Sequence, residues 1–123
     1  MSRQHLYILA FSITMVLSAP SLAQDIGWAA GTWKGRIEGF RGQDPTRTLS
    51  IAIDGGAAKC GWGEGFRSNP PAAKNCSVSA TGVKLTSGAN NQIDLRRSGN
   101  TLSGTMTTTA GDGKTYNLTM KKE

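Results

Sequence analysis

Apolar and polar residues alternate one by one along much of the chain after residue 31. Such alternation is typical of a β-strand with one buried and one solvated face, because successive side chains point to opposite sides of a sheet. Three shorter segments are further strand candidates. The alternating segments are 32–38, 48–54, 92–96, 101–107 and 116–122, and the shorter candidates are 57–62, 76–80 and 83–86. The pattern therefore predicts about eight short strands, preceded by at most one helical turn at 24–30.

The residues between these segments are rich in Gly, Asn, Asp and Ser. Examples are Asp54-Gly55-Gly56 and Ser98-Gly99-Asn100. Tight turns of this composition join strands that are antiparallel neighbours. Strands joined in this way form either an up-and-down barrel, which has no free edges, or a sandwich of two sheets. Hairpin connectivity favours the barrel. We predict an all-β fold, a small antiparallel up-and-down barrel of about eight short strands, with a two-sheet β-sandwich as the alternative.

The first 23 residues differ in character from the rest. A short polar start with Arg3 precedes an apolar stretch at 8–17, and small residues follow at Ser21 and Ala23. This order is typical of a secretory signal peptide cleaved after Ala23. The apolar stretch is too short for a stable transmembrane helix. We expect a signal peptide at 1–23, a single barrel-like domain at 24–123, and an exported protein, periplasmic or extracellular, without a transmembrane span in the mature chain.

Cleavage would change the chemistry available to the chain. The 14 Lys and Arg residues include Arg3, so 13 would remain against eight Asp and Glu, and the one histidine, His5, would be lost. A basic exported protein meets anionic surfaces readily. Without histidine, neither a Ser-His-Asp triad nor a His-bearing zinc site can form. We therefore expect no metal, no cofactor and no enzymatic activity, carboxylate-only hydrolysis being the alternative. Export and dispersed charge argue against nucleic-acid binding.

Cys60 and Cys76 are the only cysteines, and in an exported chain we predict that they form a disulfide. Between them, glycines alternate with larger residues that include Trp62 and Phe66, and Arg67 follows. An exposed aromatic ring can fill a partner's pocket, and an arginine pairs with anions. We predict a recognition loop that uses Trp62, Phe66 and Arg67. Trp62 shares strand parity with Cys60, so its alternative position is the barrel core.

A second loop, 39–45, repeats the aromatic and arginine pair as Phe40 and Arg41. If this loop and the 60–76 loop lie at the same end of the barrel, Phe40 and Arg41 are expected to form one mouth with Phe66 and Arg67. The alternative is two unrelated exposed loops. The sequence leaves this choice open.

Gly31-Thr32-Trp33 opens the first strand. This segment resembles the G-x-W signature of lipocalin barrels and the similar G-T-W start of avidin-like barrels, both calycin-type folds, and the strand count fits. The resemblance implies an eight-stranded barrel with a ligand in its mouth. In lipocalins an arginine near the last strand packs on the first-strand tryptophan; here that strand carries Lys121 and Lys122. A barrel this small is either hollow or filled by its own side chains.

These observations predict a non-enzymatic binding module of the cell envelope. Its ligand would be an anionic glycan, a lipid or a small amphiphile, recognised through the disulfide-stapled aromatic and arginine loops. The alternative is an inhibitor or partner of a secreted enzyme that presents the Cys60–Cys76 loop. The stiff Asn69-Pro70-Pro71 stretch motivates this alternative.

Overall fold

A computed structural model of the chain describes residues 26–109 and 113–123, so the predicted signal peptide lies outside the described residues. A short 3-10 turn, Gly27–Ala29, precedes the first strand. The strands are β1 Gly31–Ile37, β2 Thr46–Asp54, β3 Ala57–Glu64, β4 Lys74–Val78, β5 Gly82–Thr86, β6 Gln92–Ser98, β7 Thr101–Thr107 and β8 Thr115–Lys122. Each strand overlaps one of the segments predicted from the sequence, and the all-β class is confirmed.

All eight described strands belong to one antiparallel sheet, in the order β3-β2-β1-β8-β7-β6-β5-β4. β1 and β8, the first and last strands of the chain, pair side by side, with Trp33 opposite Lys122 and Ile37 opposite Leu118. Each other neighbouring pair is a sequence neighbour joined by a short connection. The sheet is a nearly closed up-and-down barrel, as predicted, and not a two-sheet sandwich.

The seam of the barrel lies between β3 and β4. The predicted disulfide joins Cys60 to Cys76 there, with their Cα atoms 5.7 Å apart. Two backbone hydrogen bonds also cross the seam: Trp62 N donates to the Pro71 carbonyl oxygen, and Ala73 N donates to the Cys60 carbonyl oxygen, both at 2.8 Å. The end of the β3–β4 loop thus supplies part of the pairing that a full-length β4 would otherwise make.

The interior of the barrel is filled by its own side chains. Leu49, Leu102, Met106 and Met120 have no exposed surface, so they border neither solvent nor a water-sized void. Burial of each such side chain contributes roughly 1.5–3 kcal/mol. The other hydrophobic residues of the same core cluster are Ala29, Trp33, Ile37, Ile51, Cys60, Trp62, Val83, Leu85, Ile93, Leu95 and Leu118.

Two tryptophans close the barrel end that faces away from the β1–β2 and β3–β4 loops. Trp33 Nε1 donates to the Ala29 carbonyl oxygen at 2.9 Å, and the Trp28 ring lies edge-on to Trp33 with centroids 6.0 Å apart. Lys122 Nζ lies 5.6 Å from the Trp33 ring centroid and donates to the Trp28 carbonyl oxygen at 2.7 Å. Lys122 therefore makes the contact that the resemblance assigns to an arginine, and the barrel is compatible with a lipocalin-like one.

Candidate functional site

The loop between β3 and β4 lies back against the outer wall of the barrel. Gly61 and Gly63 point outward from β3, and their lack of side chains makes room for it. A Cβ on Gly61 would lie 2.8 Å from the Pro70 carbonyl oxygen, and one on Gly63 would lie 2.9 Å from Arg67 Cδ. Both distances are shorter than real Cβ contacts. The alternating glycines of β3 thus form a strip without side chains on the outer wall, and the loop packs on this strip.

Thr48 holds the start of this loop against the wall. Its Oγ1 donates to the Gly65 carbonyl oxygen at 2.7 Å and accepts from Arg67 N at 3.0 Å, while Gly65 N donates to the Thr46 carbonyl oxygen at 2.9 Å. Thr48 has no exposed surface, although its strand parity is that of the solvated face. The sequence pattern does not single out Thr48, because an outward-facing threonine on a strand is normally solvated and only the position of the loop shows that it is covered.

Phe66 is the one large hydrophobic side chain that is exposed among the described residues, at 56%. Thr48 fixes the backbone on both sides of it, so the ring is presented at a defined place. The Lys34 ammonium lies 5.6 Å from the ring centroid, within the range of a cation–π attraction. Arg67 is exposed beside it. We call Phe66, Arg67 and Lys34 the outer-wall patch.

Phe40 occupies a different position, over the open end of the barrel. Its ring lies edge-on to Tyr116, with centroids 5.1 Å apart, and the Arg47 guanidinium carbon lies 5.4 Å from its centroid. Phe40 and Tyr116 are both partly buried against the core. We call Phe40, Tyr116 and Arg47 the mouth plug, because together they cover this end of the core.

Arg47 is a buried cation with local partners. Only 5% of it is exposed, and its Nη1 donates to the carbonyl oxygens of Asp44 and Thr46, both at 2.7 Å. Nη2 lies 4.0 Å from Glu64 Oε2. Burial lowers the pKa of the guanidinium, and the charges of Glu64 and Asp44 oppose this shift. Arg47 is not among the predicted site residues, although it shares the inward strand parity of Leu49.

The two predicted loops lie at the same end of the barrel and touch each other. Besides the hydrogen bond from Gly65 to Thr46, a Cβ on Gly65 would lie 3.7 Å from Asp44 Oδ2. The loops meet through these residues, whereas Phe40 covers the mouth and Phe66 lies on the outer wall. The expected single mouth is therefore split into two surfaces.

The other predicted residues have separate positions. Arg41 is exposed on the β1–β2 loop. Trp62 is only 6% exposed and lies in the core cluster, the position that its shared parity with Cys60 allowed. Almost none of the Trp62 side chain is therefore accessible to solvent.

Asp44, a carboxylate of the β1–β2 loop, forms hydrogen bonds with the first residue of β2. Asp44 Oδ1 accepts hydrogen bonds from Thr46 Oγ1 at 2.6 Å and from Thr46 N at 2.9 Å, which hold the pKa of Asp44 below its usual value. Within residues 26–109 and 113–123, no group of three or more His, Cys, Asp or Glu is placed to hold a metal ion. No helix of this part of the chain is long and apolar enough to cross a membrane.

The chain was compared with known proteins in three ways. No model of a protein family matches it, and searches of curated proteins and of solved structures found no match. The residues and their geometry are therefore the only basis for inferring a function.

Proposed function

We propose that this protein is an exported, non-enzymatic binding module of the cell envelope that recognises an anionic ligand through the outer-wall patch. The observation that carries this proposal is Phe66, 56% exposed and flanked by the cations of Lys34 and Arg67. The disulfide at the base of the loop and the grip of Thr48 limit the conformational entropy lost on binding, which favours affinity.

The filled interior directs the ligand to the outside of the barrel. Side chains such as Leu49 and Met106 occupy the space that a lipocalin-like ligand would need. An anionic glycan or a lipid headgroup bound on the wall fits better than a small amphiphile enclosed in the barrel. The aromatic ring supplies a stacking surface and the two cations supply charge.

The compartment forms part of the proposal. Disulfides persist in oxidising compartments, so the Cys60–Cys76 bond supports export to the periplasm or the extracellular space, in line with the predicted signal peptide. The alternative inhibitor function is less well supported, because its presenting loop packs along β3 instead of standing clear of the barrel.

The proposal is tested with the double variant Phe66→Ala/Arg67→Ala. Thermal shift and calorimetry would compare it with the wild type against acidic polysaccharide, lipopolysaccharide and anionic vesicles at low and high salt, because a ligand of the folded state raises the melting temperature. We expect affinity to fall tenfold or more, since loss of stacking and loss of one charge contact each cost on the order of 1 kcal/mol.

Arg96→Ala is the matched control, because Arg96 is an exposed arginine on β6, away from the patch. This variant should bind like the wild type. If the double variant keeps its affinity while Arg96→Ala loses it, the patch is not the binding surface. Unchanged melting temperatures of the free variants would show that the fold is intact.

A further inference from the structure

Strand register aligns three cationic side chains in a row across the outer wall. Lys121 of β8 lies opposite Lys34 of β1. Lys34 lies opposite Thr48 of β2, and Thr48 lies opposite Gly63 of β3, over which the Arg67 side chain packs. Neighbouring strands are about 4.8 Å apart, so the row spans roughly 14 Å over three such intervals. Phe66 contacts its middle member, Lys34.

The row already holds one carboxylate. Glu123 forms an ion pair with Lys34, in which 54% of the Glu123 side chain and 35% of the Lys34 side chain are exposed. An exposed pair of this kind contributes little to stability, because water screens the attraction between its charges. A carboxylate or sulfate from a ligand can therefore replace Glu123 at little cost.

A shallow depression of about 410 Å³ lies beside the row, on the outer face of β1, β2 and β3. Thr32 and Ser50 face each other across its floor, and Pro70 of the loop forms one wall. The hydroxyl groups of Thr32 and Ser50 can hydrogen-bond a polar ring, and Lys59 adds a further cation at the rim. The depression therefore offers a sugar ring hydrogen-bond partners on one side and, at Ala52 and Pro70, apolar surface to pack against.

We infer that the ligand is a linear acidic oligosaccharide that lies along this row from Lys121 to Arg67. One ring stacks on Phe66, successive anionic groups meet the three cations, and one of them displaces Glu123 from Lys34. This inference rests on the proposed function and extends it to Lys121, to Glu123 and to the depression. A bilayer fits less well, because Phe66 is the single large exposed hydrophobic among the described residues and peripheral membrane binding scales with buried apolar area.

Calorimetry with mono-, tri- and hexagalacturonate, and with heparin-derived oligosaccharides as a sulfated counterpart, would test the inference. A row of cations predicts that affinity rises at least tenfold from the monomer to the hexamer, because successive contacts share one association step. Lys121→Ala should lower the hexamer affinity about threefold, because one of the three cationic contacts is lost. Lys84→Ala is its control, because Lys84 is an exposed lysine on β5, away from the row, and this variant should bind like the wild type.

Glu123→Gln is expected to raise the hexamer affinity about threefold, because the competing carboxylate is removed from Lys34. A gain of this kind cannot come from misfolding. Absence of hexamer binding, equal affinity for monomer and hexamer, or the same affinity in Lys121→Ala as in the wild type would each overturn the inference.

Binding measurements with anionic vesicles distinguish failure of this inference from failure of the proposed function. If phosphatidylglycerol vesicles bind and the oligosaccharides do not, the occupant is a lipid surface and the inference is wrong. The proposed function stands in that case, provided that Phe66→Ala/Arg67→Ala weakens vesicle binding. If this double variant changes binding to none of the probes, both the inference and the proposed function fail.

Discussion

Two loops of this barrel carry the same Phe-Arg pair and use it in opposite ways. Phe40 packs on Tyr116 and under the Arg47 guanidinium, whereas Phe66 leaves 56% of its surface exposed. The surface beneath each loop accounts for the difference. The β1–β2 loop spans an open barrel end, whose apolar core needs a cover. The β3–β4 loop lies on an already formed wall, where its backbone is held and its ring has no core to enter.

The arginines differ in the same way. The arginine that contacts Phe40 is Arg47 and not its sequence neighbour Arg41, because the strand parity of Arg47 turns it inward. Phe66 is paired instead with Lys34, from a different strand. A Phe-Arg pair in the sequence therefore does not by itself show whether the ring is buried or exposed.

The largest expected effect on stability comes from removing the disulfide, which the β3–β4 loop has and the β1–β2 loop lacks. Cys60→Ser/Cys76→Ser should lower the free energy of unfolding by about 3 kcal/mol in the chain-entropy model, as measured by urea denaturation. The bond also supports the seam, where β3 and β4 lie side by side. A loss below about 1 kcal/mol would mean that the backbone hydrogen bonds of Pro71 and Ala73 hold the seam alone.

A second pair of variants tests the contrast directly. Phe40→Ala should cost about 2 kcal/mol, because a partly buried aromatic side chain is lost together with its contacts to Tyr116 and Arg47. Phe66→Ala should change the unfolding free energy by less than about 0.5 kcal/mol. Denaturation curves of the two variants would check this order. If the two variants lose the same unfolding free energy, the distinction between the mouth plug and the outer-wall patch is wrong.

A third prediction concerns the bare strip beneath the patch. Gly61→Ala places a methyl group against the Pro70 carbonyl oxygen and Ser50 Oγ, so it should destabilise the fold by about 1–2 kcal/mol and weaken ligand binding by lifting the loop. Gly88→Ala is the control, because nothing lies within 4 Å of its added Cβ. If both variants behave alike in thermal denaturation and in calorimetry, the strip does not position the loop.

The smallest expected effect is a loss of stability of the β1–β2 loop at acidic pH. Hydrogen bonds from Thr46 lower the pKa of Asp44 from its ordinary 3.8. The stabilisation is therefore present above the ordinary value and is lost as the pH falls through the lower pKa of the folded state. The Thr46 amide resonance should shift in that acidic range in an NMR titration. Asp44→Asn keeps an acceptor oxygen and should abolish the shift; a titration unchanged in Asp44→Asn would assign it to another group.

Much of the fold could be predicted because the residues of each strand by themselves show which of its faces is buried. The alternation of Leu49 and Ile51 with polar neighbours fixes which side is buried, and the same parity assigns Trp62 to the core. Parity also identifies Arg47 as inward, although a charged residue at such a position needs the carbonyl groups of a particular loop to be accepted.

The outer-wall patch could be predicted only in part. Phe66 and Arg67 stand out by composition, but the residues that hold and flank them do not. Thr48 and Arg67 are 19 residues apart in sequence, and Lys34 and Lys121 become neighbours only because the first and last strands pair. Long-range contacts of this kind leave no local pattern for sequence analysis to detect.

The backbone of the β3–β4 loop closes the seam, and this closure protects the barrel against self-association. An uncovered strand edge is a template for pairing with another chain, and β3 is an end strand of the sheet. The segment that covers β3 contains Pro70 and Pro71, which lack the N–H groups that a further strand would use, and it begins just after the exposed Phe66. A substitution that frees this loop therefore also uncovers the edge of β3, so the need to keep that edge covered restricts which sequence changes the loop can accept.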